Sequence, residues 1–512
     1  MYAVTQLFVA LGYLLYVTSI AEIVSGFPFS GGCYGLARVA QGYHIGFLVG
    51  CCEALEYIGY SAMSFLYVGS LFCDIFGIDS QYSLVFCFLC YVIGVTITVS
   101  GGHVLLNTNY IIAVVSSVIL LVFLIGTLPW TNFVENTSLH EHSRTADMSN
   151  WFSGGMAEFL SIIPPTTASY GGIEALCLLP ALVKSPKTDI PKGLVLGVVA
   201  LFVLNMLSMF IMSSMPGGIM TTSTLDYPME VGFNLMFGKF PQYATIILMI
   251  PAQFGMGFGF LLPFGKLLQA LGSTNLLPSV LGLNNCANHA KGVIVGSMFG
   301  FVLSCICQYT FSDQLANICI LAGFLTYLSQ LHGYWMLKTK YATSKREFIS
   351  PFGLTGVAIA SLIFVFGVIA IVGFSDDYVS PPFVFGLLVI LSFYYHFFAA
   401  RTQTIAKEEQ AVLFQLHVAK GNKRRKHHHG GPSTGTTFFS KSKILSSVRP
   451  SQTTRAGSKA ASSAAAQSSV VESGQLLGGA DDNRSVTAGA SIQGRGETEV
   501  ELRSPQVPTH ER

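Results

Sequence analysis

One apolar segment of this chain is long enough to cross a membrane and yet cannot form a straight helix: Phe159-Leu-Ser-Ile-Ile-Pro-Pro-Thr-Thr-Ala-Ser-Tyr-Gly-Gly-Ile-Glu-Ala-Leu-Cys-Leu-Leu-Pro180. Its two prolines lack the N–H that a helix interior needs, and Gly171 with Gly172 loosens the backbone after them. In lipid, broken helices persist only where protein or a watery cavity receives the freed backbone groups. Glu174 follows the break directly. A broken membrane helix beside a carboxylate is typical of the solute site of a secondary transporter.

The composition places the whole chain in the membrane class. Of its 512 residues, 51% are hydrophobic and only 11% are charged, which does not describe a soluble globular protein. The positive charges are segregated, since 16 of the 28 lysines and arginines follow residue 400. We therefore predict a polytopic domain over 1–400 and a tail over 401–512. The tail is rich in Ser, Gly, Ala and Thr, so we expect it to be mostly disordered.

Apolar stretches of spanning length, about 20 residues each, recur about eleven times. An all-α membrane protein with about eleven transmembrane helices is therefore the predicted fold class. The predicted spans are 3–24, 46–72, 83–100, 104–128, 155–182, 191–215, 243–270, 290–308, 316–338, 352–374 and 378–399.

Charges in the connectors predict the orientation. Ten lysines and arginines fall on one side of the alternating spans and two on the other, and the richer side is cytoplasmic by the positive-inside rule. The tail then lies in the cytoplasm. The longest opposite loop, about 129–154, holds the sequon Asn136-Thr-Ser, a candidate for glycosylation. Eleven spans also place Met1 outside, which predicts that a further helix precedes this chain.

Two acids in the second span are candidates for coupling to a cation. Glu53 and Glu56 are three positions apart, so both lie on one helix face. Close carboxylates rarely both ionise without a partner, which suits proton transfer or the binding of an amine cation. The alternative is structural, with each acid bonded to neighbouring hydroxyls at a helix interface.

Glu174 is the third candidate. A half-helix beginning near Gly172 would present free N–H groups and a positive dipole end to a substrate carboxylate. Glu174 could instead orient a neighbouring helix, and paired glycines alone more often mark close packing.

Three segments in register resemble the amino acid–polyamine–organocation superfamily of permeases over about residues 3–400. Ala21-Glu-Ile-Val-Ser-Gly-Phe-Pro-Phe-Ser-Gly-Gly-Cys-Tyr-Gly-Leu-Ala-Arg38 is similar to the family's second helix and the following loop. Tyr170-Gly-Gly-Ile-Glu174 with Lys184-Ser-Pro-Lys-Thr-Asp-Ile-Pro191 is similar to its broken sixth helix, and the segment Gly257 to Pro278 to its eighth. Tyr34-Gly-Leu-Ala-Arg38 and Glu53-Ala-Leu-Glu-Tyr57 look most like the ethanolamine-permease branch.

The resemblance implies a twelve-helix fold with two inverted five-helix repeats and alternating access. It implies that the residues Ser169, Tyr170, Gly171, Gly172 and Glu174 line the substrate pocket, with Tyr170 as a gate. The family's first helix has no counterpart here, so the eleven spans correspond to family helices two to twelve.

These observations predict a secondary transporter of amino acids or related small amines, ethanolamine-like, in the plasma membrane. The coupling ion would be a proton or sodium. A nutrient sensor of the same fold, signalling through the tail, is the rival from another class. Neither a cofactor nor a nucleic-acid partner is expected. We expect no metal site, since Cys87-x-x-Cys90 stands in an apolar helix without a second pair, and no enzyme, since clusters at catalytic spacing are missing.

Overall fold

The structure is a computed structural model that describes residues 1–26, 31–136, 155–218, 222, 224–278, 290–340, 346–405, 410 and 414. Within these residues the chain is helical and contains no strand. Ten of the helices are long and apolar enough to cross a membrane. The helices are α1 (Tyr2–Gly26), α2 (Gly32–Gln41), α3 (Tyr43–Phe76), α4 (Ser83–Ser100), α5 (Gly102–Thr127), α6 (Phe133–Asn136), α7 (Gly155–Ala168), α8 (Pro186–Ser214), α9 (Met229–Phe237), α10 (Gln242–Ser273), α11 (Ala290–Ile306), α12 (Ser312–Lys340), α13 (Gly353–Gly373), α14 (Ser380–Tyr394) and α15 (Ala400–Thr402).

The predicted all-α membrane class is confirmed, and ten of the eleven predicted spans match these long helices. The remaining prediction, 155–182, corresponds to the broken segment. Four short helices, α2, α6, α9 and α15, were not predicted, because each is too short to leave a spanning apolar pattern in the sequence. The sequon loop beyond Asn136 and the tail from 415 to 512 lie outside the described residues.

The broken segment consists of one α-helix followed by tighter turns. Pro164 and Pro165 are accommodated inside α7, which ends at Ala168. After a turn, Gly172 adopts a left-handed conformation with φ 76° and starts a 3₁₀-helix over Ile173–Leu178. A half-helix does begin next to Gly172, but its turns are of the tighter 3₁₀ type. Because glycine alone tolerates this φ without strain, the break occurs at the glycine pair rather than at the prolines.

The broken segment lies against both of the large hydrophobic clusters of the molecule. The first cluster combines residues of α1, α8, α12 and α13 with Tyr170 and Cys177. The second combines residues of α3, α4 and α10 with Ala175 and Leu178. Residues from the broken segment belong to each cluster, so its backbone is enclosed by protein. That enclosure satisfies the condition under which irregular backbone persists at membrane depth.

Candidate substrate and proton site

Three carboxylates meet where α3 faces the broken segment. Glu53 and Glu56 are fully buried on α3, and Glu174 is 1% exposed in the 3₁₀-helix. The predicted placement of Glu53 and Glu56 on the interior face of one helix agrees with this burial. Burying even one carboxylate is costly unless it is paired, so a cluster of three indicates a functional constraint.

Tyr57 joins two of these carboxylates. Its hydroxyl oxygen lies 3.0 Å from Glu53 Oε1 and 3.0 Å from Glu174 Oε1. The hydroxyl has one hydrogen and can donate to only one of them at a time. The other carboxylate completes the chain of hydrogen bonds when it carries a proton and donates to the tyrosine oxygen. The three groups together can therefore hold one proton and exchange which acid carries it.

Tyr327 on α12 connects the break to the third carboxylate. Its hydroxyl donates to Glu56 Oε1 over 2.6 Å and accepts from the backbone N–H of Gly172 over 3.3 Å. A movement of the backbone at Gly172 therefore changes the hydrogen bonding of Glu56. One N–H at the break is used by the protein itself, which differs from the expectation of free N–H groups there.

Each of the three carboxylates retains an unpartnered oxygen. Within the described residues, Oε2 of Glu53, Glu56 and Glu174 has no hydrogen-bond partner. The ion pairs formed among the described residues belong to Glu22 instead. A buried, uncompensated cluster of acceptors attracts protons or the N–H groups of a cation.

Aromatic rings enclose the carboxylates. Phe260 stacks between Tyr57 and Tyr60, with ring centroids 5.5 and 5.6 Å apart. On the other side, Tyr13 stacks on Tyr170 at 5.1 Å. Aromatic faces carry partial negative charge and attract ammonium groups, so rings and carboxylates favour the same kind of ligand.

The two glycines at the break allow this close packing. A Cβ atom at Gly171 would lie 2.3 Å from the hydroxyl of Tyr60, and one at Gly172 would lie 2.3 Å from the ring of Phe260. No side chain is tolerated at either position without displacing an aromatic ring. Packing therefore requires glycine at both positions, and the φ of 76° requires it at Gly172 as well.

The other predicted pocket residues lie apart from the carboxylates. The Tyr170 hydroxyl accepts a hydrogen bond from Gln6 Nε2 over 2.7 Å, which directs it toward α1. Ser169 is exposed in the turn after α7. The five predicted residues thus surround the break, but among them only Glu174 and the Gly172 backbone contact the tyrosines that bind the acids.

A cavity of about 520 Å³ reaches this region along the second half of α3. Tyr60 lines it on one side and Ala168, at the end of α7, on another, and several polar side chains contribute to its wall. These polar side chains are Ser64, Ser70, Gln253 and Gln308. Because Tyr60 also contacts Gly171 and Phe260, it separates the cavity from the carboxylates.

Glu22 organises a second polar cluster that the sequence did not single out. Its carboxylate pairs with Lys338 over 2.6 Å and with Arg346 over 2.5 Å. It also accepts from the Tyr334 hydroxyl over 2.5 Å and from the Ser350 N–H over 3.0 Å. The cluster ties α1 to α12 and to the segment before α13. The one available signal was an acid inside the first apolar span, whose cationic partners are more than 300 residues away.

Sequence comparison relates the chain to a known protein family. The family model described as amino acid permease matches residues 1–393, which is more than three quarters of the chain. No curated protein matches the sequence.

Proposed function

Because this chain belongs to the amino acid permease family, a family of multi-pass membrane transporters, we propose that it moves small amines or amino acids by proton-coupled alternating access. The observation that carries the proposal is the cluster of three buried carboxylates at the break of a membrane helix, none of them in an ion pair within the described residues. Such a cluster has vacant acceptors for one substrate ammonium group and for protons.

Recognition of the amine rests on the unpartnered Oε2 atoms and on the rings around them. An ammonium group has three donors and can use the unpartnered carboxylate oxygens, and the faces of Tyr57 and Phe260 add cation–π attraction. An ethanolamine-like substrate suits this site because it brings a positive charge without a carboxylate. A substrate carboxylate would need an anion site at the break, where Gly172 already donates to Tyr327.

Proton coupling rests on the two tyrosines. Tyr57 shares its hydroxyl between Glu53 and Glu174, and Tyr327 links Glu56 to the backbone of the break. When the substrate displaces the backbone at Gly172, the hydrogen bond that stabilises ionised Glu56 changes. Substrate binding and proton binding are thereby coupled through one hydroxyl group. A proton rather than sodium is favoured, since these groups already form a connected path for hydrogen bonds.

Alternating access requires one side of the site to be open while the other is closed. The 520 Å³ cavity beside Tyr60 provides a route from one side. The Glu22 cluster closes the other side by tying α1 to α12, on the side that the charge pattern predicts to be cytoplasmic. We place the transporter in the plasma membrane with its tail in the cytoplasm.

The test is uptake of labelled ethanolamine and a labelled amino acid panel by the purified chain in proteoliposomes with an imposed pH gradient. The double variant Glu53→Gln, Glu56→Gln should lose the dependence of uptake on the gradient. Asp376→Asn, at an exposed position, serves as the matched control and should behave as the wild type. Gradient-dependent uptake by the double variant would contradict the proposed role of Glu53 and Glu56. Absence of any uptake by correctly folded wild type would contradict the proposed transport function.

A further inference from the structure

Two cysteines face each other across the joint between α2 and the broken segment. Cys33 lies in the first turn of α2 and Cys177 in the 3₁₀-helix, and each is 3% exposed. The Glu53 carboxylate lies close to this joint, since a Cβ at Gly32, next to Cys33, would lie 3.8 Å from Glu53 Oε1. The backbone at Gly32 lies directly against the 3₁₀-helix, because a Cβ at Gly32 would lie 2.7 Å from the side chain of Leu178.

Both cysteines line one small cavity of about 20 Å³. A volume of this size holds a single atom or water molecule and excludes any organic substrate. The cavity also contains Gln330, which is fully buried and whose Nε2 has no hydrogen-bond partner among the described residues. Apolar side chains of α1 close the remaining wall, including Ile20 and Val24.

The chemistry of these groups selects a soft cation. Thiolates bind soft d¹⁰ ions in preference to the harder cations that carboxylates and water prefer. Zinc needs four ligands, and no group of three or more metal-binding side chains occurs within the described residues. Ions that accept two sulfur ligands, such as silver(I), copper(I) and mercury(II), match a pair. The neighbouring carboxylates Glu53 and Glu174 add negative charge that favours a cation here.

We propose that Cys33 and Cys177 form a two-coordinate binding site for a soft d¹⁰ cation, and that the bound ion arrests transport by pinning the broken helix to α2. Each thiol loses its proton to water and forms one metal–sulfur bond, so mercury(II) binding releases two protons and leaves a neutral bis-thiolate without any redox change. The 3₁₀-helix carries Glu174 and must shift for the site to open inward. A metal bridge from Cys177 to α2 blocks that shift.

The first experiment measures mercury(II) binding to the purified full chain by the ultraviolet absorbance of mercury–thiolate bonds. Excess glutathione is included, because it removes mercury from single thiols more readily than from a preformed pair. Cys33→Ser and Cys177→Ser should each lose the same one equivalent that resists glutathione. If both variants keep that equivalent, or if only one of them loses it, the two cysteines do not form a paired site.

The second experiment measures inhibition of uptake by mercury(II). The uptake rate of each variant is compared with the rate of the same variant without mercury. Cys33→Ser and Cys177→Ser should both need at least tenfold more mercury for half-inhibition. Cys90→Ser is the matched control. It also removes one of two buried cysteines, Cys87 and Cys90, but this pair lies within α4 and not at the joint between α2 and the broken segment. Equal inhibition of wild type and both serine variants would show that the pair does not arrest transport. The absorbance readout still tests the site if uptake is not detected.

Discussion

Tyr57 is the side chain on which two of the three buried carboxylates depend. Replacing it with Phe removes the hydroxyl 3.0 Å from both Glu53 and Glu174 and leaves their Oε1 atoms without a donor. An unsatisfied buried polar group costs ~1–3 kcal/mol, so we expect the apparent substrate affinity or transport rate to fall about 5- to 150-fold. Uptake at saturating and limiting substrate in proteoliposomes measures which of the two falls.

Tyr91→Phe is the control for this change. Tyr91 is also buried, and its hydroxyl contacts no carboxylate among the described residues. It should retain wild-type uptake with only a small effect on stability. If Tyr57→Phe transports as well as Tyr91→Phe, the hydroxyl shared by the two acids has no part in the mechanism.

Gly172 is the residue at which the break is most sensitive to substitution. Alanine at this position must adopt φ 76°, which costs ~1–2 kcal/mol, and its Cβ would lie 2.3 Å from Phe260. We expect Gly172→Ala to reach the membrane in reduced amount and to lose most of its uptake per molecule. Gly259→Ala, next to Phe260 in α10, adds a Cβ that lies within 4 Å of nothing beyond its chain neighbours and its own helix backbone, so this variant should be neutral or slightly stabilised. Similar activity of the two variants would contradict the packing described for the break.

The acids of the site were predictable from the sequence, but their partners were not. Glu53, Glu56 and Glu174 stand out because a charge inside an apolar run is expensive wherever the chain folds. Tyr57 and Tyr327 do not stand out, because tyrosines are common in membrane helices. The Tyr327 hydroxyl reaches Glu56 across 271 positions, and no local pattern encodes a contact at that separation.

At the scale of helices, the Glu22 cluster ties α1 to α12 and to the segment before α13. Glu22→Gln leaves Lys338 and Arg346 without their carboxylate while preserving the shape of the side chain. Breaking a buried ion pair by removing one partner costs ~3–5 kcal/mol, although the 28% exposure of Lys338 moderates this loss. We expect a clearly lower thermal unfolding midpoint in detergent. An unchanged midpoint would mean that the cluster contributes nothing to the packing of α1 on α12.

Asp377 fastens the start of α14 to α12 and makes the stability dependent on pH. Burial alone would raise its pKa, but hydrogen bonds from Ser380, Asn317 and the Val379 N–H outweigh burial and hold the pKa below the ordinary value. A lowered pKa in the folded state stabilises the fold above the pKa of the unfolded chain. This stabilisation disappears as the pH falls through the folded-state pKa.

We therefore expect the thermal unfolding midpoint of the wild type to fall between about pH 5 and pH 3 by more than that of Asp377→Asn. Asn cannot ionise, so its remaining hydrogen bonds to α14 do not change over this range. Asp376→Asn, at the exposed neighbouring position, should retain the wild-type slope. Parallel curves for Asp377→Asn and the wild type would exclude Asp377 as the titrating group.

Long helices were predictable because apolar composition alone determines where a chain can cross a membrane. The short elements were not, because their conformation depends on neighbours. The half-helix over Ile173–Leu178 is of the 3₁₀ type, and it forms where Gly172 is left-handed and Phe260 and Tyr60 pack against the backbone. α2 is likewise a short helix whose Cys33 and Leu36 pack against distant parts of the chain.

For the whole molecule, the main question is whether the polytopic domain works without its tail. The segment just after α15 is anchored to the domain, since Arg38 donates to the Thr404 carbonyl over 3.2 Å and the Thr404 N–H donates to the Thr274 carbonyl over 2.9 Å. A chain ending at Ile405 keeps these contacts, and one ending at Thr402 loses both. The family match ends at residue 393, before either of these two ends.

We expect the chain that ends at Ile405 to take up substrate with wild-type affinity, because the carboxylate site and the Glu22 cluster are complete without the tail. The chain that ends at Thr402 should also transport, but it should unfold at a lower temperature, since it loses the hydrogen bonds of Gln403 and Thr404, each worth ~1 kcal/mol. Uptake that vanishes in both chains at normal surface level would make the tail part of the mechanism. Substrate binding without uptake in the full chain, together with a downstream response that requires residues 406–512, would favour the sensor over the transporter.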